Sequence, residues 1–238
     1  MTALSIIVPI WNVTPELANM TWRNLYHLKE CTTLAHELIV VDNGSPHQRV
    51  YPALIVVPWM ENKGIAAAWN AGMALAHGEV LCFLNNDVEV TPGWEVALCE
   101  AALDGRRIAF PYTDQGDGIP RRADTAGVAG WCFAIRASLA REIGRFDETF
   151  SPAFYEDTDW LYRAWLQGIE LSPVPGAVVK HQRRTTASYL PNMDLLFKAH
   201  RLKYAWKWRL DPSEAPPFYA RTIREYVPQE GVLEMEGR

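Results

Sequence analysis

The chain has 238 residues, 49% of them hydrophobic and 21% charged, and a formal net charge of −5. That length buries one large core or two modest ones, and the composition is that of a soluble globular enzyme rather than a disordered chain. The negative balance excludes a surface given over wholly to nucleic acid or to membrane.

A β-branched run at residues 4–8 predicts a first strand stopped by Pro9, and Leu17, Met20, Leu25 and Leu28 recur at helical spacing and predict a helix over 16–28. A strand over 37–41 ends in Asp42, Asn43, Gly44 and Ser45, a cluster rich in turn formers. There follow a short strand around 54–57, an Ala-rich helix over 65–76, a strand over 80–84, a helix over 93–103 and a strand near 108–110. This alternation predicts an α/β fold with a mostly parallel sheet wrapped by helices. Residues 113–124, rich in Gly and Asp without an apolar period, read as a mobile loop beside the site. Beyond it come a strand over 127–136, helices over 137–143 and 158–167, and a short strand over 177–180 that delivers His181. A basic aromatic helix over 192–209 and the Pro-rich DPSEAPP complete the pattern, without internal repeats.

Cys31, Cys82, Cys99 and Cys132 show neither metal-ligand nor disulfide-framework spacing and read as reduced structural thiols. The chain enters TALSIIVPI with no basic leader, and that apolar run is far too short to span a bilayer. A cytoplasmic protein without its own membrane anchor is therefore expected. The basic pairs Arg106 and Arg107, Arg121 and Arg122, and the run from Lys180 to Arg184 are candidates for local anion sites or, more ordinarily, solvated faces.

Two acidic sites carry the chemistry. In FYEDTDW, Glu156, Asp157 and Asp159 crowd the mouth of a predicted helix just after an aromatic loop. Carboxylates that close repel one another, so they are kept together where a proton is taken or a cation held. Taken alone, the triplet is better explained by acids complementing a helix dipole, and its chemical reading rests on the second acidic site upstream. In LCFLNNDVEV, the apolar run stops at Asn85, Asn86 and Asp87. It reads as a buried strand opening onto a loop, the edge at which open α/β sheets bind ligands. Asp87 followed by Glu89 offers hard oxygen ligands suited to magnesium or manganese, against the plainer reading of a strand-end Asp capping a turn.

Taken in order, SIIVPIWN, IVVDNGS, ENKGIAAAWNAG, FLNNDVEV, GWCFAIR and FYEDTDW resemble the inverting glycosyltransferases of family 2, which have the GT-A fold, over roughly residues 4–182. The resemblance implies transfer of a sugar from a nucleotide sugar, a UDP-sugar, to an acceptor hydroxyl. It implies a GT-A domain over 1–190, with a nucleotide-sugar half to about residue 90 and an acceptor and catalytic half after it, then a C-terminal helix and tail over 191–238. Pro9, Asp42, Asn43 and Ser45 would hold base and ribose. Trp11 and Trp131 would offer ring faces to sugar or nucleotide. Asn62, Lys63 and Gly64 would face the diphosphate at a helix N-terminus. Asn85, Asn86 and Asp87 align with the family's DxD motif. Because Asn85 replaces the first acid, the role of ligand to Mn2+ or Mg2+ passes to Asp87 alone, with weaker metal binding, and Asn85 is left to hydrogen-bond the nucleotide. His181 matches a histidine that completes the metal site, although Lys180 and Arg183 beside it would oppose a cation. Asp157 would be the catalytic base with Glu156 beside it, while Asp159 points elsewhere and accepts from nearby N–H groups. The small residues of the 65–76 helix imply close packing on the sheet, and Trp160 and Trp165 read as core.

Two rival functions remain open at this point. A sugar-nucleotide pyrophosphorylase would be expected to carry a Gly-rich basic loop after the first strand, and WNVTPE is neither. A non-catalytic nucleotide-sugar-binding module would not be expected to keep both Asp87 and Asp157. The acceptor is left undetermined among glycan, lipid-linked sugar, protein side chain and modified nucleic-acid base, as is the oligomeric state. The helix over 192–209, with Lys198, Arg201, Lys203, Lys207 and Arg209 beside Trp206 and Trp208, suits a membrane surface or a phosphate backbone if it is not simply a packing helix.

Overall fold

The first strand, β1 (Leu4–Ile10), is buried at every residue, as a central strand with parallel neighbours on both sides must be. It pairs in parallel with β2 (His36–Asn43) on one side and β4 (Val80–Leu84) on the other. The computed structural model describes residues 3–53, 55–114, 130–182 and 186–218. Within them lie also α1 (Pro15–Cys31), β3 (Ile55–Trp59), α2 (Ile65–Leu75), β5 (Val88–Val90), α3 (Trp94–Leu103), β6 (Arg107–Thr113) and β7 (Cys132–Arg136). α4 (Ala137–Ile143), α5 (Glu156–Leu166), β8 (Glu170–His181) and α6 (Met193–Trp208) complete the set.

The sheet order is β3-β2-β1-β4-β7-β6-β8-β5, and the expected mostly parallel α/β sheet is present. β7 is antiparallel to both β4 and β6, and β5 is antiparallel to β8. Side chains alternate across β1. Leu4, Ile6, Val8 and Ile10 join the core under α1 and α3, whereas Ile7 faces the aromatic core under α2, α4 and α5, where Trp69, Phe83, Phe133 and Trp160 meet. The Ala-rich helix does lie close on the sheet: a Cβ at Gly72 would come within 2.2 Å of Ile7 Cγ2. Trp160 is fully buried and donates to the Gly144 carbonyl at 2.8 Å.

Several elements depart from the sequence expectation. Pro9 does not stop β1: the ladder to β4 ends at Ile7, while that to β2 runs on through Pro9 to Ile10. Past Ile7, β1 is an edge on its β4 side, the setting in which proline is tolerated. β1 leads through α1 to β2, and the chain returns through α2 to β4 on the other flank, so β1 and β4 part at a topological switch point and leave a crevice at their C-terminal ends. Residues 177–180 are the end of the twelve-residue β8. Val88–Val90 form the unforeseen β5, whose register sets Val88 opposite His181. α5 begins at Glu156, so Glu156 and Asp157 occupy its first turn. Leu54, residues 115–124 of the expected loop, and 127–129 of the expected strand lie outside the described residues.

Candidate active site

A cavity of about 490 Å³ opens where β1 and β4 part. Eleven of the residues singled out from the sequence line it: Pro9, Trp11, Asn43, Asn62, Asn85, Asn86, Asp87, Trp131, Glu156, Asp157 and His181. Asp42, Ser45, Lys63 and Gly64 do not.

The β1–β2 side is built from side chains that bond one another. Asp42 Oδ1 accepts the Ser45 N–H at 2.9 Å and Ser45 Oγ accepts the Asn12 N–H at 2.8 Å, so both residues build the turn after β2 instead of facing the cavity. Asn12 Nδ2 donates to the Tyr51 hydroxyl at 2.7 Å. Burial, helped by the nearby Asp42 charge, pushes that phenol up to about 12. Thr21 Oγ1 donates to Asn12 Oδ1 and accepts from Asn86 Nδ2, both at 2.8 Å, and Asn24 Nδ2 donates to the Asn86 carbonyl at 2.9 Å. The Asn86 amide is thus spent in tying the β4 loop to α1. Sequence reasoning passed over Asn12, Thr21, Asn24 and Tyr51. The signal was Thr21 on the buried face of α1, where a polar group requires a partner.

The helix N-terminus also differs from expectation. The N–H groups of Lys63, Gly64 and Ile65 are taken by Asn43 Oδ1 at 2.8 Å, Asn62 Oδ1 at 2.8 Å and the Pro152 carbonyl at 3.0 Å. The Lys63 ammonium lies 5.1 Å from the centroid of the Trp59 ring, off the cavity. These groups bind one loop to another and do not offer the cavity an anion cradle.

Where β5 meets β8, their register brings Asp87 Oδ1 within 3.4 Å of His181 Nε2. The Trp131 ring stacks on the imidazole at 4.6 Å between centroids, and the Trp131 carbonyl accepts the Asn85 N–H at 2.8 Å. Asp87 Oδ1, Asn85 Oδ1 and His181 Nδ1 are buried without hydrogen-bond partners among the described residues. Such orphaned groups are costly unless a ligand supplies what is missing. Adjacent ligands of an octahedral cation with bonds of about 2.1 Å stand about 3 Å apart, so Asp87 and His181 fit a magnesium or manganese ion. Among the described residues no group of three His, Cys, Asp or Glu side chains forms a metal site, which leaves the other positions to substrate phosphate and water. Glu89 is not part of this set. It does not line the cavity, and its half-exposed carboxylate pairs with Lys180 at 3.5 Å. That pairing also offsets the positive charge expected to oppose a cation, while Arg183 lies outside the described residues.

The end that holds Glu156 and Asp157 rests on strained backbone. Phe154 and Tyr155 have φ of 75° and 72°, a left-handed conformation that bulky side chains rarely adopt. α6 holds this turn in place. His200 Nδ1 lies 2.8 Å from the Ala153 carbonyl and 3.1 Å from that of Phe154, to which it donates, and the Phe197 ring sits 5.5 Å from Phe154 and 5.3 Å from Tyr155. Two acids follow. Glu156 is buried with Oε2 unpartnered among the described residues, and burial, then the Asp157 charge, raises its carboxyl well above the usual range. Asp157 is half-buried, and its Oδ1 accepts the Thr158 N–H at 2.7 Å. A Cβ at Gly130 would stand 1.8 Å from Asp157 Oδ2, so this glycine is what lets the carboxylate pass.

Asp159 points away from Asp157, as expected, into α6. It is fully buried and meets Arg163 Nε at 3.1 Å, Trp208 Nε1 at 2.8 Å and Lys207 Nζ at 2.7 Å. Lys207 also reaches Asp147 at 2.7 Å. Burial opposes ionisation of Asp147, but hydrogen bonds from Lys207 and Thr149 outweigh it and bring that acid down to about 2. Lys203 donates to the Thr149 carbonyl and lies 4.9 Å from the Phe150 centroid. Two of the helix's five cations are therefore turned inward. Arg106 and Arg107 are likewise engaged, with Glu142 and with Asp104 and Glu170, and Arg121 and Arg122 lie outside the described residues.

Comparison with known proteins places this architecture. The family model described as glycosyl transferase family 2 matches residues 5–164. Polypeptide N-acetylgalactosaminyltransferase 6 of Bos taurus is 25% identical over 279 residues, covering 94% of this chain and 44% of that protein. The chain thus spans less than half the length of this curated relative. Among solved structures, GalNAc-T7 with UDP, GalNAc and Mn2+ superposes with a TM-score of 0.66 at 19% identity, covering 87% of this chain and 49% of the other. The mannosyltransferase PcManGT from Pyrobaculum calidifontis, in complex with GDP-Man and Mn2+, gives 0.64 at 19% identity, covering 91% and 66%. At those identities the likeness shows the fold, which is GT-A.

Proposed function

The chain belongs to glycosyl transferase family 2, and on that footing we propose that it is a metal-dependent, inverting enzyme that moves a hexose from a UDP-sugar to an acceptor hydroxyl. One observation carries the reading: the Asp87–His181 pair and the Glu156–Asp157 pair open onto the same cavity, the first with buried acceptors that lack donors. The UDP and Mn2+ named with GalNAc-T7 support the choice of nucleotide and cation.

Asp87 and His181 would hold the divalent ion, which offsets charge on the departing diphosphate. Pro9, Trp11 and Asn43 line the cavity on the β1–β2 side and would bound the nucleoside. Asp157 takes the proton of the acceptor hydroxyl as its oxygen bonds the anomeric carbon and the bond to the diphosphate oxygen breaks on the opposite face. Burial, then the Asp157 charge, favours the neutral form of Glu156, which suits it to sit beside a base without competing for that role. The aromatic wall of Phe154, Tyr155 and Phe197 keeps water from competing with the acceptor.

The test is UDP release from a panel of UDP-hexoses with and without Mn2+, followed by the configuration of the new linkage by NMR. Manganese-dependent release from a donor, abolished in Asp87→Ala, with inverted product is expected. Release that ignores manganese, or a retained configuration, defeats the metal-dependent or the inverting part respectively.

A further inference from the structure

α6 has two faces of opposite employment. Its inner face is fixed to the body through His200, Lys203, Tyr204 and Lys207, and Phe197 walls the cavity. Its outer face carries Leu195, Leu202 and Trp206, which are 67%, 59% and 83% exposed among the described residues. With the exposed Ala199 they fall within about 60° of one another around the axis at about 100° per residue. This is an ordered apolar stripe on a rigidly held helix, not a scatter of single surface residues. Lys198 and Arg209, both exposed, flank it on one side.

The chemistry of that face selects its partner. A second copy packed stripe to stripe about a twofold axis would bring the Lys198 and Arg209 rims together as like charges. A nucleic-acid backbone would meet the two cations but would leave Leu195 and Leu202 with nothing to bury them. An anionic lipid surface answers both features: acyl chains take the leucines, the interfacial zone takes the Trp206 indole, and anionic headgroups take the lysine and arginine. No helix among the described residues is long and apolar enough to cross a membrane, and this face requires only that α6 lie on one.

We propose that the outer face of α6 docks the protein on an anionic membrane surface, with the helix lying in the interface and the cavity one helix diameter, about 10 Å, behind it. An acceptor carried by a lipid would then be presented beside Phe197 without leaving the bilayer.

The test needs neither donor nor metal and so stands apart from the reading of the cavity. The full chain is sedimented with vesicles of phosphatidylcholine alone or mixed with phosphatidylglycerol, and tryptophan quenching is followed with lipids brominated on their acyl chains. Binding to the phosphatidylglycerol vesicles is expected, at least tenfold weaker on phosphatidylcholine. A drop of at least tenfold is expected in the Leu202→Ser/Trp206→Ser and Lys198→Glu/Arg209→Glu variants, with the far-UV circular dichroism and the urea midpoint unchanged to report an intact fold. Trp206→Leu should keep the binding and lose most of the quenching. Absence of vesicle binding, or binding indifferent to these substitutions, overturns the proposal. So does a dimer in light scattering that the Leu202→Ser/Trp206→Ser pair dissolves without any vesicle binding.

Discussion

The two ends of the cavity are held by different physics. At the Asp87–His181 end, main-chain ladders do most of the positioning: β4 ends at Leu84, β5 pairs with β8, and that register sets Asp87 near His181. At the Glu156–Asp157 end, Phe154 and Tyr155 take a left-handed path that no ladder supports, and side chains from α6 hold it. A ladder spreads its cost over many bonds. A clamp concentrates it in a few residues, so the Glu156–Asp157 end should respond more sharply to single substitutions than the Asp87–His181 end.

The largest expected effect is on stability. Asp159→Ala strands Arg163 and Lys207 beside a fully buried hole, and removing one partner of a buried ion pair costs about 3–5 kcal/mol. His181→Ala removes a ring that stacks on Trp131 and lies 3.4 Å from Asp87, a longer contact than any at Asp159, and should cost less, about 1–2 kcal/mol. Urea denaturation of both variants decides the comparison, and equal losses would mean that the two ends are not held differently.

Next comes chemistry. Asp157→Asn should keep the fold and the affinity for UDP while lowering kcat by about a hundredfold or more, the usual scale for a lost base. A fully active variant would sink the assignment of the base. A smaller effect belongs to the clamp itself. His200→Phe keeps the ring packing but removes the donor to the Ala153 and Phe154 carbonyls. We expect kcat to fall about tenfold with donor KM within about twofold, and His200→Asn, which can still donate, to recover part of it. A loss confined to donor KM would instead tie His200 to the nucleotide.

The same contrast explains what was legible in the sequence. The strand and helix at residues 80–84 and 137–143 were read to the residue because apolar runs and local stops define them. Asp87 and the Glu156–Asp157 pair were found by their motifs, and they do share a cavity. β5 was missed because three residues of DVEV become a strand only through pairing with β8. β8 was shortened because Pro173, Pro175 and Gly176 interrupt its pattern, and its ladder with β6 does shift register there. The inward direction of Lys203 and Lys207 was invisible, since their partners on residues 147, 149 and 159 lie more than forty positions away in sequence. So was the left-handed turn, because nothing in two aromatic residues announces a conformation that their own preferences oppose.

The smallest expected effect isolates Glu156. Its carboxyl is raised well above the ordinary glutamate value of 4.5 because burial, then the Asp157 charge, penalises ionisation. A raised folded-state value means that the folded protein binds this proton more tightly than the unfolded chain. Below about 4.5 both states hold the proton and the group is neutral toward stability. As pH climbs from 4.5 toward the folded value, the unfolded chain releases the proton first and the folded state is progressively penalised. Glu156→Gln, which cannot ionise, should therefore match the parent near pH 4.5 and exceed it in stability at pH 8, as read from urea midpoints at both values. The same variant should retain donor binding, since the amide still offers a neutral donor where the protonated acid did. If the gain were as large at pH 4.5 as at pH 8, the cause would be packing of the amide, and burial would not be what favours the neutral form of Glu156.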